Sequence, residues 1–181
     1  MKRVTIFLKL FLVLKSIYCQ NIYTLEINSK WKILSLTENN TTIQFPNEKT
    51  FYLETLDLNK SKAKVFDRKN RKIYKKLGYK GMLIYTDEKD INSKYYCQIT
   101  AFFKTKKDNV LQIIWNDNFK QQEQLSKIDP KIRMNLWEIL NGETQITANG
   151  DTIKFTATRV DSLQKIILSI NLKKEQDIKR E

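Results

Sequence analysis

The sequence predicts a β-rich α+β domain: an antiparallel meander sheet or partly closed barrel, with one helical pair inserted before the last three strands. Three observations carry that prediction. Apolar and polar residues alternate with a period of two along most of the chain after residue 20. The alternating runs are rich in β-branched and aromatic residues and are bounded by polar turn formers. Only one region repeats its apolar residues at intervals of four.

The first strand is read from Trp31 to Leu36, with Trp31, Ile33 and Ser35 on one face and Lys32, Leu34 and Leu36 on the other. A turn at Glu38-Asn39-Asn40 leads into a second short strand, Thr42 to Phe45. Phe51 to Leu58 reads as the next strand. Ala63 to Phe66 and Ile73 to Leu77 read as a basic hairpin, and Met82 to Thr86 as a further strand. The clearest alternation runs from Tyr95 to Lys104. It places Tyr95, Cys97, Ile99, Ala101 and Phe103 on an inner face and Tyr96, Gln98, Thr100, Phe102 and Lys104 on the other. A loop at 106–109 returns the chain into Val110 to Trp115 as a hairpin.

Helix signals follow. Asp129 supplies an N-cap carboxylate, and Pro130 takes the first helical position, where its missing N–H is harmless. Ile132, Leu136 and Leu140 then share a face, with Trp137 and Ile139 alongside, and Asn141-Gly142 ends the helix. A more polar stretch, 119–128, is read as its partner helix. Beyond it, Thr144 to Ala148 and Thr152 to Thr158 flank Asn149-Gly150, a dipeptide suited to a tight hairpin turn of type I′. Lys165 to Leu172 is the last strand, and Lys173 to Glu181 is a charged, fraying tail. The stretch from Lys30 to Leu36, with Trp31 at its start, resembles the first strand of small lipocalin-like barrels. The helices followed by three strands depart from that pattern, so no family is assigned on it.

Residues 1–19 read as an export signal. Met1-Lys2-Arg3 is a charged start, and the apolar run to Leu14 is too short to cross a membrane. Lys9 and Lys15 interrupt it. Cleavage is placed after Cys19, leaving residues 20–181 as one domain that works in the periplasm, at the cell surface or as a secreted protein. Lipid attachment at Cys19 is the lesser reading, because Tyr18 is larger than a lipoprotein signal accepts before its cysteine. Retention of 1–19 instead fits a cytosolic inhibitor or immunity-type protein.

Composition excludes several chemistries. The 181 residues contain no histidine, which removes Ser-His-Asp and Cys-His nucleophiles and imidazole metal sites. With Cys19 cleaved away, Cys97 is the single remaining thiol, so no internal disulfide forms. Surrounded by apolar neighbours and lacking an activating base, Cys97 reads as a small hydrophobe. The acidic stretch Asp87 to Asn92 lacks the glycine and terminal glutamate of a calcium loop. No glycine-rich phosphate loop is present, and no cofactor or metal is expected.

Charge is the remaining signal. The formal charge is +13, and residues 1–19 contribute four cations and no acid. The segment from Lys60 to Lys80 holds ten cations against the single acid Asp67, so its net +9 equals the whole excess of the mature chain. The candidate anion-binding residues are Lys62, Lys64, Arg68, Lys69, Arg71, Lys72, Lys75 and Lys76. The same pattern suits a solvated edge hairpin whose lysines prevent sheet-to-sheet aggregation. The aromatics Phe66, Tyr74 and Tyr79 suit either base or sugar stacking or a core. The expected function is a non-enzymatic binding module that docks an anionic envelope component or an acidic protein, nucleic acid being the least natural partner outside the cytoplasm. An apolar ligand held in the curvature of the sheet is the other form of that expectation. An exported hydrolase working with two carboxylates is the alternative.

Overall fold

A computed structural model of the chain describes residues 25–43, 50–86, 96–106, 109–116, 129–161 and 164–175. Residues 1–19 with Cys19, where an export signal is expected, the acidic stretch 87–92, the helix expected over 119–128 and tail residues 176–181 lie outside the described residues.

Among the described residues nine strands follow one another: β1 (Lys30–Glu38), β2 (Thr41–Ile43), β3 (Phe51–Leu56), β4 (Lys80–Thr86), β5 (Tyr96–Thr105), β6 (Val110–Trp115), β7 (Gly142–Asn149), β8 (Thr152–Asp161) and β9 (Gln164–Lys174). From β3 to β9 each strand pairs antiparallel with its neighbour in sequence. β9 then pairs along nearly the whole of β1, from Trp31↔Lys174 to Glu38↔Leu168, and closes the sheet. β1, β3 and the strands through β9 thus form an eight-stranded closed antiparallel barrel, which leaves no long free edge to template aggregation. β2 is a short hairpin arm on the upper half of β1, whose lower half pairs with β3.

Two turns and a bulge show how local chemistry sets register. Asn39 and Asn40 both take positive φ, 48° and 65°, between the paired residues Glu38 and Thr41. That is the geometry of a type I′ hairpin, and asparagine tolerates it better than most side chains. At the Asn149-Gly150 hairpin the paired residues are Asn149 and Thr152, so Gly150 and Asp151 form the loop. Only Gly150 has positive φ there, 60°. Glycine at the first central position matches type II′, one residue on from the type I′ turn expected. In β1 a bulge between Ile33 and Ser35 resets the alternation. Leu34 therefore points outward, 49% exposed, while Leu36 turns into the core beside Ile33, contrary to strict alternation.

The lumen is packed. Trp31, Ile33, Leu36, Leu53, Met82, Ile84, Ile99, Ala101, Phe103, Leu111, Ile113, Ile146, Ile153, Phe155, Leu168, Ile170 and Leu172 belong to one buried cluster and are each at most 5% exposed. A ligand-sized void would leave accessible surface on side chains lining it, so the barrel centre is core and not a calyx. At one end Leu25 is buried in the same cluster. Its strap is tied down by the Thr55 hydroxyl, which donates to the Glu26 carbonyl at 2.5 Å and accepts from the Ser29 N–H at 3.1 Å.

A helix closes the other end. Asp129 caps it as expected, accepting from the N–H groups of Lys131 and Ile132, and Ile132, Asn135, Leu136 and Ile139 are its buried residues. Trp137 is not among them. It lies about 100° round the helix from Leu136 and is 46% exposed. This helix spans Pro130–Ile139 and is pinned to β8 by the Arg159–Glu138 ion pair and to β1 by Lys131–Glu38 at 3.4 Å.

The largest departure from the sequence reading concerns residues 60–80. They form no hairpin. Ser61–Val65 is a turn of 3₁₀ helix, and Arg68–Lys76 is an α-helix, here α1; the capping helix Pro130–Ile139 is α2. α1 lies on the outer wall of the barrel. A hairpin would have added two strands to a sheet that already closes on itself, whereas a helix can pack across its face.

Candidate functional site

Local sequence starts and stops α1. The carboxylate of Asp67, the one acid in the segment, accepts from the N–H groups of Lys69 at 3.0 Å and Asn70 at 2.9 Å. It thereby satisfies two donors that the first turn leaves unpaired and places negative charge at the positive end of the helix. Gly78, at φ 81°, ends it with the left-handed residue typical of a helix C-terminus. Lys75 and Lys76 fall in the last turn, where cations are favoured.

The wall holds the helix through an aromatic cluster. Phe102, on the outer face of β5, is fully buried. Tyr74 stacks on it with ring centroids 4.4 Å apart, and Phe66 lies against it at 5.0 Å. Tyr79 meets the edge of Tyr74 at 5.4 Å. Leu56, Leu58, Ala63, Leu83 and Tyr85 complete this second core, which is separate from the lumen. Gly81 makes the close approach possible, since a Cβ there would sit 2.9 Å from Cζ of Phe66. A polar chain anchors the start of the helix: Asn70 Nδ2 donates to Asn116 at 3.3 Å, and Asn116 Nδ2 donates to Thr100 at 2.9 Å. The outer face of β5, which alternation left facing solvent, is therefore half of a helix–sheet interface.

With Asn70 and Tyr74 turned to the wall, the cations turn away from it. At 100° per residue, Arg68, Lys69, Arg71, Lys72, Lys75 and Lys76 fall within an arc of about 160°. Arg71 is half-buried and the other five are exposed. Among the described residues none of the six is in salt-bridge contact with a carboxylate. The ion pairs, including Lys106–Glu143, Lys173–Asp151 and Lys174–Glu26, lie elsewhere. Of the eight candidate cations, the structure brings these six together on one helix. Lys64 is exposed on the preceding 3₁₀ turn, and the side chain of Lys62, in that same turn, lies outside what is described.

Two further features border the cations. Lys104 sits over the Tyr79 ring at 4.7 Å. Asp57 is held below the ordinary aspartate range, chiefly by the hydrogen bond from the Asn59 N–H, with Lys80 and Lys60 adding in the same direction. The apolar stripe of α1 is covered only in part, because Ile73 and Leu77 remain 45% and 57% exposed. The sequence reading placed these two residues at the ends of a strand and not among the site residues. Asp67, Gly78 and the Asn70–Tyr74 interval were the available helix signals, but a run dominated by Lys and Arg masks apolar periodicity.

A shallow outer depression of about 360 Å³ is lined by Leu34, Ala148, Thr152, Ile153, Lys154 and Asn171, among others, and no carboxylate lines it. Among the described residues no group of three or more Cys, Asp or Glu is placed to hold a metal ion, and no helix is long and apolar enough to cross a membrane. Cys97 of β5 pairs with Tyr85 of β4, beside a bulge. No protein-family model, curated protein or solved structure matches the chain.

Proposed function

We propose that the protein is an exported, non-enzymatic binding module that docks an anionic partner through the outer face of α1. One observation carries the reading: six cations radiate from a nine-residue helix whose nearest acid, Asp67, is occupied as its N-cap. Fixed on a rigid barrel, the cations hold a concentrated positive field without paying for the ordering of a loose tail. The leader-like start of the chain favours a partner outside the cytoplasm.

The test is comparative, because a chain of this net charge binds polyanions weakly wherever its lysines lie. Lys69, Arg71, Lys72 and Lys75 are changed to Glu in one variant; Lys32, Arg133, Lys154 and Lys165, away from α1, in another. Both carry the same net charge. Retention on immobilised heparin at low salt should collapse only in the first. Equal losses in the two variants would show that charge is read without regard to place, and the proposal would fall.

A further inference from the structure

We infer that the partner is an anionic lipid surface, with α1 lying along it and Ile73 and Leu77 entering the headgroup layer. This rests on the reading of α1 as an anion-docking face and specifies its occupant. Three observations favour a bilayer. First, the aromatics that would stack on bases or sugars are committed elsewhere: Phe66 is 3% and Tyr79 8% exposed, and Tyr74 is stacked on Phe102. What remains outward is charge without rings, which suits phosphate headgroups and gives nucleobases no platform. Second, the face is convex. The helix stands on the outer wall of the barrel, packed through Phe66 and Tyr74 with its cations turned away from the wall, so it meets a broad surface better than it encloses a small anion.

Third, the cations are flanked by apolar area that the fold leaves open. Ile73 and Leu77 belong to the apolar stripe of α1, yet about half of each side chain faces solvent. Large aliphatic groups beside a dense cationic face are what interfacial helices use, with charge held at the headgroups and alkyl groups slipped between them. On a soluble acidic protein, six unpaired cations would need matching carboxylates in fixed positions. A fluid anionic bilayer supplies mobile ones.

The experiment is co-sedimentation of the full chain with mixed phosphatidylglycerol–phosphatidylcholine vesicles and with pure phosphatidylcholine vesicles. The difference between the two removes any apolar contribution from residues 1–19. Each Lys or Arg near such a surface is worth about fivefold in affinity. Lys69, Lys72, Lys75 and Lys76 changed together to Gln should therefore weaken anionic binding on the order of several hundredfold, and salt should weaken the wild type in parallel. Ile73→Asn with Leu77→Asn should cost about a further tenfold and leave the salt dependence unchanged. Leu77→Gln alone, at the more exposed position, serves if the double variant folds poorly.

Heparin and polyglutamate are run beside the vesicles. No anionic-vesicle binding, with heparin retention still dependent on α1, would overturn the lipid assignment and leave the anion-docking reading standing. Loss of both would end both. Tighter binding to polyglutamate than to vesicles would transfer the face to an acidic protein. Vesicle binding indifferent to Ile73 and Leu77 would refute insertion.

Discussion

Phe102→Ala is the most direct test of the architecture on which the site depends. If residues 60–80 were a solvated hairpin, Phe102 would sit on an exposed strand face, and its loss would change stability by no more than about 0.5 kcal/mol. In the structure its side chain is fully buried and touches both Phe66 and Tyr74. Truncating a buried phenylalanine costs about 3–5 kcal/mol through lost transfer energy and the cavity left behind. That is a large fraction of the roughly 5–15 kcal/mol that holds a domain folded. With a urea m-value of about 2 kcal/mol/M, the midpoint should fall by about 1.5–2.5 M at unchanged m. Limited trypsin digestion supplies the local readout: cleavage between Arg68 and Lys76 should accelerate before the barrel opens, because α1 loses its wall. A midpoint shift below about 1 kcal/mol equivalent, with α1 as trypsin-resistant as before, would refute the packed helix.

Other perturbations follow from the same contacts. Asp67→Ala removes the N-cap and should destabilise by about 1 kcal/mol, with Asp67→Asn largely preserving stability; equal effects in thermal melts would deny the capping role. Gly81→Val places carbon against Phe66 and Leu58, where even a Cβ would come within 3.0 Å. It should destabilise by about 1–3 kcal/mol, and a neutral result would show that the ring has room to retreat. The Glu26 carboxyl is held below its ordinary range, first by the hydrogen bond from Lys174 Nζ at 2.5 Å and next by that from Ser29 at 3.1 Å. A carboxyl with a depressed folded pKa stabilises above its unfolded pKa and loses that contribution as pH falls through the folded value. Glu26→Gln should thus be less stable than wild type at pH 7, and the gap should close from about pH 5 downward. A gap independent of pH would point to packing instead of charge.

The localisation of charge between Lys60 and Lys80 was plain, since charge is additive along a sequence. Its presentation was not. Ala63 to Phe66 and Ile73 to Leu77 match short strands as well as helix turns, and a run this short gives periodicity little to separate them. Ile73 and Leu77 look like core residues in any one-dimensional pattern. Only the position of α1 on the wall leaves them half uncovered.

What the sequence by itself determined was local. It determined most strands through alternation and β-branching, the helix behind Asp129-Pro130, the hairpin at Asn149-Gly150, and the sign and location of the excess charge. Each rests on interactions among residues close in the chain. Tertiary structure decided the rest. Closure joins Trp31 to Lys174, a contact across most of the chain that no local pattern specifies. α1 has nine residues, too few for a stable isolated helix, and six of them are like charges that repel. It is a helix because Phe102 and its neighbours on a finished barrel wall give Phe66 and Tyr74 somewhere to pack, and that packing decides which way the cations face.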